Sequence, residues 1–117
     1  MSDELTTLLV IFFSHWVGDY LFQTTPMALR KGTSLYWLSL HVLVYTGTIL
    51  VFSAFVLGGM SALKFGMMSG ALHWIVDFFT SRIAPRVIHR PRVYYPLIGF
   101  DQFLHIASLL ITLAWFQ

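Results

Sequence analysis

The chain has 117 residues, of which 57% are apolar, 17% aromatic and only 10% charged, and its mean hydropathy is +0.75. That is too little polar surface for a water-soluble domain, and the length allows only one domain, residues 1–117. The absence of cysteine excludes disulfides, thiolate metal sites and cysteine nucleophiles; seven basic residues placed at helix ends and connections, rather than along one face, argue against a nucleic-acid partner.

The first predicted helix covers about residues 5–22, and Asp3 and Glu4 precede it where a signal peptide would carry basic residues, so a retained span is expected. It carries His15-Trp16-Val17-Gly18-Asp19-Tyr20, with Gln23 continuing the His15 and Asp19 face. Pro26 lies just past its end, and Arg30 and Lys31 follow in the first connection. The second helix, 34–57, carries His41 and, one turn on, Tyr45; a Gly58-Gly59 turn closes it. The third, 62–84, opens with an Ala62, Gly66, Gly70 ridge that suits close helix packing, and runs into His73-Trp74-Ile75-Val76-Asp77-Phe78. Arg82, Arg86, Arg90 and Arg92 then share the only sizeable loop with His89, Pro85, Pro91 and Pro96; Pro96 suits the first turn of the fourth helix, 97–116, which carries Asp101, Gln102 and His105.

Each apolar stretch is long enough to cross about 30 Å of hydrocarbon. The expected fold is therefore an all-α, polytopic membrane four-helix bundle. Six of the seven basic residues fall on the first and third connections, with Lys64 alone at the second. The positive-inside rule then places those two connections in the cytoplasm and both termini outside. The two HxxxD segments sit on helices of the same direction, and each is followed by a basic connection and a helix with another histidine. Two tandem hairpins related by a parallel repeat are expected, with equivalent polar groups meeting at the axis.

Residues four apart share a helix face, so His15 with Asp19, His73 with Asp77, and Asp101 with His105 form three same-face pairs. At about 1.5 Å per residue, the four histidines lie roughly 10–13 Å from the cytoplasmic ends and the three aspartates roughly 6 Å. An ionised aspartate at the bilayer centre costs roughly 2.5–3.5 kcal/mol on insertion scales, so burying three calls for compensation. Imidazole with carboxylate is a ligand set for zinc and also suits iron or manganese. We expect His15, Asp19, His41, His73, Asp77, Asp101 and His105 to hold one or two divalent transition-metal ions, zinc first, with some aspartates acting as ligands or as partners orienting the imidazoles. A proton or ion relay and a hydrogen-bonded clasp between helices are the alternatives. Tyr45, Gln23 and Gln102 are supporting candidates. Asp101 has no counterpart in the repeat, since Trp37 precedes His41 by four; it is the candidate proton acceptor or a further ligand, with Arg82 and Arg86 as candidate anion-binding groups.

The segments HWVGDYLFQ, LHVLVY, HWIVDFF and FDQFLH together resemble the domain-of-unknown-function 3307 family of small bacterial and phage membrane proteins, over most of the chain. Its HxxxD, H, HxxxD and DQxxH pattern falls on His15, Asp19, His41, His73, Asp77, Asp101, Gln102 and His105. Where the pattern often has a lysine three residues after the second aspartate, this chain has Thr80. The resemblance implies a bacterial or phage-encoded inner-membrane protein and brings no activity with it. More loosely, the pattern is similar to small membrane-bound metal-dependent hydrolases. The expected function is thus a metal-dependent hydrolase acting on a lipid or lipid-linked substrate at the cytoplasmic leaflet. A metal or proton transport component, or a small subunit of a membrane complex, is the alternative. Four short helices bury little around a substrate, so a homodimer or membrane partner is expected.

Overall fold

A computed structural model describes residues 3–116, and they are almost wholly helical, with no strand among them. The order is α1 (Asp3–Trp16), a π-helical segment (Val17–Leu21), α2 (Thr25–Arg30), α3 (Leu35–Val56), α4 (Gly59–Val87) and α5 (Pro91–Phe116). The four-helix expectation is corrected to five. The added helix is α2, and Pro26, read as a breaker, sits in its first turn, where the missing N–H costs no bond.

Prolines also moved the boundaries of the third connection. α4 continues through Pro85, and α5 begins at Pro91 with Pro96 well inside it, so the expected loop shrinks to residues 88–90. Pro85 has no N–H to give the Ser81 carbonyl; Gly32 packs against that carbonyl, and a Cβ there would collide with it. The first connection is thereby pressed onto the C-terminal half of α4, which brings Lys31 to that helix.

The first helix loses its α pitch at Val17. Gly18 lies against α3, where a Cβ would sit 3.0 Å from Tyr45 Cδ2, and the backbone there takes π turns. The His15 and Asp19 side chains still keep to one side of the helix, with His15 Nε2 3.7 Å from Asp19 Oδ2.

The seam between α3 and α4 is equally close. A Cβ on Gly66 would strike Leu50, and one on Gly70 would strike Thr46, so the small-residue ridge packs on α3. An apolar cluster of Ile11, Tyr45, Ile49, Phe65, Leu109 and Leu113 ties α1, α3, α4 and α5 together one to two turns from the histidines. Much of the remaining interior is polar, with all of His15, Asp19, His41, His73, Asp77, Asp101 and His105 buried, whereas Phe55, Leu43, Phe103 and Trp115 are exposed. α3 and α5 are long and apolar enough to cross a membrane.

Candidate metal centre

Two elements of the first half and two of the second bring the polar residues to one point. His41 on α3 and His73 on α4 face each other with Nε2 atoms 3.2 Å apart. Asp19 Oδ1, from the π segment, lies 3.1 Å from His41 Nε2 and 3.3 Å from His73 Nε2. Asp77 Oδ2, from α4, lies 3.3 Å from His41 Nε2 and 3.4 Å from His73 Nε2. Neither imidazole has an acceptor of its own, because both share the same two oxygens. Their Nδ1 atoms, like that of His105, are buried without a protein partner, so each ring turns its Nε2 to the carboxylates.

These distances test whether a metal fits. Nitrogen and oxygen ligands about 2.0–2.1 Å from a tetrahedral centre lie about 3.3–3.4 Å from one another. Five of the six edges of the group run from 3.1 to 3.4 Å. The four ligand atoms all lie within 4.8 Å of one another, and the group can hold a metal ion. A second group shares Asp77 through its other oxygen: Oδ1 lies 3.1 Å from His105 Nε2, which lies 3.3 Å from Asp101 Oδ1. It too can hold an ion.

His15 is drawn to the cluster but stands outside both groups. Its Nε2 is 3.0 Å from Gln102 Oε1, an acceptor, so Nε2 carries the proton and Nδ1 accepts from the Tyr45 hydroxyl at 2.8 Å. Gln102 Nε2 in turn reaches Asp101 Oδ2 at 3.1 Å and Asp19 Oδ2 at 3.4 Å. Tyr45, His15 and Gln102 thus form one chain of contacts that orients two of the aspartates. The first HxxxD copy gives the four-atom group only its aspartate, whereas the second, on unbroken α-helix, gives both residues. His15 still approaches Asp19 Oδ2 to 3.7 Å, but its two ring nitrogens are engaged by Tyr45 and Gln102, and that is the difference between the copies.

The other sequence candidates lie elsewhere. Gln23 makes no hydrogen bond to the cluster, and its Oε1 is buried without a partner. Arg82 donates to the Phe78 carbonyl and lies over the Phe78 ring at 3.8 Å, and Arg86 is exposed. Trp16 is about half exposed, as its turn from the His15 face requires, and Trp74 gives its indole N–H to Ser39.

Sequence reasoning missed Lys31 and Thr80. The Lys31 side chain is only 16% exposed and places Nζ 2.9 Å from Asp77 Oδ2, and the Thr80 hydroxyl donates to Asp101 Oδ1 at 2.6 Å. Lys31 belongs to a connection without periodicity, so nothing in the sequence linked it to Asp77. Thr80 continues the Asp77 side of α4 and was readable only as a departure from a family pattern. Lys31, Asp77 and Asp101 border a cavity of about 400 Å³ whose apolar wall includes Leu29, Ile88 and Ile98.

A family model described as "Protein of unknown function (DUF3307)" matches residues 5–117. Neither the curated proteins nor the solved structures contain a match to the chain.

Proposed function

The chain belongs to the DUF3307 family of proteins of unknown function, and from that premise we propose that it is a membrane-embedded metal-binding protein that works as a metal-dependent hydrolase on a lipid or lipid-linked substrate. The observation that carries the metal reading is the set of edges among His41, His73, Asp19 and Asp77, which matches a tetrahedral N/O site. Zinc is the first expected ion, with manganese or iron next.

The membrane reading rests on the apolar reach of α3 and α5 and on an interior that is polar where the surface is apolar. We read the chain as four spans, with α2 lying in the first connection. The basic residues put that connection inside, in a bacterial or phage-encoded inner-membrane protein with both termini outside. The repeated HxxxD segments are read as a parallel pair of hairpins whose axis passes through the cluster. Cysteines placed at Arg30 and Arg90 should therefore react with an impermeant maleimide only after the inner face is opened, and one at Met60 without opening. Labelling in the reverse sense would overturn the orientation.

The hydrolase reading rests on the cavity. When bound, a divalent ion supplies Lewis acidity and makes hydroxide available at neutral pH. The chain's own part is to admit an apolar tail along Leu29, Ile88 and Ile98, and to present Asp77 and Asp101 at the cavity's polar side. Gln102 and Thr80 hold those carboxylates in orientation. A homodimer or membrane partner would complete the wall around a long tail.

A relay of protons or ions is the second reading, favoured by the Lys31–Asp77 contact, which gives the carboxylate a cation without any metal. Elemental analysis separates the two. Protein purified in neutral detergent should carry at least one transition-metal ion per chain and should rebind zinc or cobalt after chelation. A chain that carries none and binds none on titration is a relay or a clasp, and the hydrolase reading falls with the metal.

A further inference from the structure

We infer that the centre is built for two ions of unequal kind, bridged by Asp77, with a closed inner site and an open outer site that takes an oxyanion headgroup from the cavity. This rests on the metal-binding reading above. Asp77 turns Oδ2 to His41 and His73, and Oδ1 to His105. One carboxylate serving two ligand groups through opposite oxygens is the arrangement that holds two ions about 3.5–4 Å apart.

The groups differ in completeness. His41, His73, Asp19 and Asp77 supply four ligand atoms from side chains that are at most 5% exposed, which is a filled tetrahedral shell. His105, Asp77 and Asp101 supply three, and two of the three also border the cavity. Three protein ligands with a vacant direction toward a cavity is the composition of a catalytic site, and four without one that of a structural site. Asp101 is thereby assigned to holding the outer ion rather than to taking up a proton.

Charge selects the ligand class. With neutral imidazoles, three carboxylates and the Lys31 ammonium leave the cluster two negative charges, which a single divalent ion would cancel. A second ion leaves the buried centre positive, so it is held fully only when an anion joins it. The cavity lies where that anion would enter, and Lys31 stands in its wall as the one cation bordering it among the described residues. Its apolar side fits an alkyl or acyl chain. The substrate class is then an amphiphile with a phosphate or carboxylate head.

The test is a cobalt titration of the chelator-stripped full chain in neutral detergent, followed by visible spectroscopy and calorimetry, with dodecyl phosphate and dodecyl maltoside as probes. Wild type should bind two ions, the second at least about tenfold more weakly, and dodecyl phosphate should tighten only the second by about tenfold. Asp101→Ala should bind one ion with first-site affinity and spectrum close to wild type, and should no longer respond to dodecyl phosphate. Thr80→Val, which removes only the hydroxyl on Asp101, should weaken the second ion by about 10- to 100-fold and spare the first. Manganese-loaded wild type should give the electron paramagnetic resonance spectrum of an exchange-coupled pair, and Asp101→Ala that of isolated ions. Saturation of wild type at one ion that survives Asp101→Ala overturns the two-ion centre while the metal-binding reading stands. Failure of wild type to bind any ion overturns both. A second ion indifferent to dodecyl phosphate overturns the headgroup assignment.

Discussion

Asp77→Ala is expected to leave the purified chain without stoichiometric metal, whereas His105→Ala should leave the inner group able to bind. Among the described residues Asp77 alone has two oxygens that face different ligand groups, so its removal takes an atom from each. Loss of groups that merely orient ligands costs about 10- to 100-fold in metal affinity, and loss of a shared ligand should exceed about 100-fold. His15→Gln belongs to the milder class, since both of its ring nitrogens are spent on Tyr45 and Gln102. The expectation from spacing, that His15 and His73 would matter alike, is replaced by a steep order: Asp77 above His73, and His73 above His15. Elemental analysis of Asp77→Ala, His73→Ala and His15→Gln, with helix content checked by circular dichroism, tests it. Equal metal loss in His15→Gln and Asp77→Ala would make the cluster a single hydrogen-bonded unit rather than a pair of ligand groups.

The sequence carried the helical fold because each apolar stretch is long and its ends are marked by glycine, proline or charge. The cluster was legible for a related reason. Ionisable residues are rare enough in this chain that three pairs at four-residue spacing could be aligned by counting turns. The structure brings His15, His41, His73 and His105 together, with the His73 and His105 rings stacked at 4.0 Å and the His15 ring 5.6 Å from that of His105. Counting puts His15 and Asp19 on one side, and the two do approach to 3.7 Å, but spacing does not show that Tyr45 and Gln102 engage both ring nitrogens of His15. Prolines misled in the opposite direction. Pro26, Pro85 and Pro91 were read as punctuation, yet one starts a helix, one is carried inside a helix with Gly32 against the freed carbonyl, and one opens α5. Lys31 and the Arg82 side chain show the third limit. Both were counted as charge at a connection, and only tertiary packing sends the lysine to Asp77 while the arginine folds back on its own helix.

Gly70→Val should weaken metal binding without touching a ligand, and this tests whether the packing of α3 on α4 sets the geometry of the inner group. His41 comes from α3 and His73 from α4, so the 3.2 Å approach of their Nε2 atoms depends on how closely the two backbones lie. Gly70 is three residues before His73, and a Cβ on it would lie 3.1 Å from Thr46 Cβ, an atom that side-chain rotation cannot move away. Relief must come from separating the helices. Overpacking of this kind costs about 1–3 kcal/mol, and the better helix propensity of the new residue offsets only part of it. Gly66→Ala is a gentler case, because Leu50 Cγ and Cδ2 can rotate while its Cα stays at 3.5 Å. Gly47→Ala is the control: it lies in α3 with nothing within 4 Å of the new Cβ, so it should leave metal affinity unchanged and stability equal or slightly higher. The expected order of cobalt affinity is Gly47→Ala equal to wild type, then Gly66→Ala, then Gly70→Val. A Gly70→Val chain that binds cobalt like wild type while melting at a lower temperature would show that the ligand groups form independently of this seam.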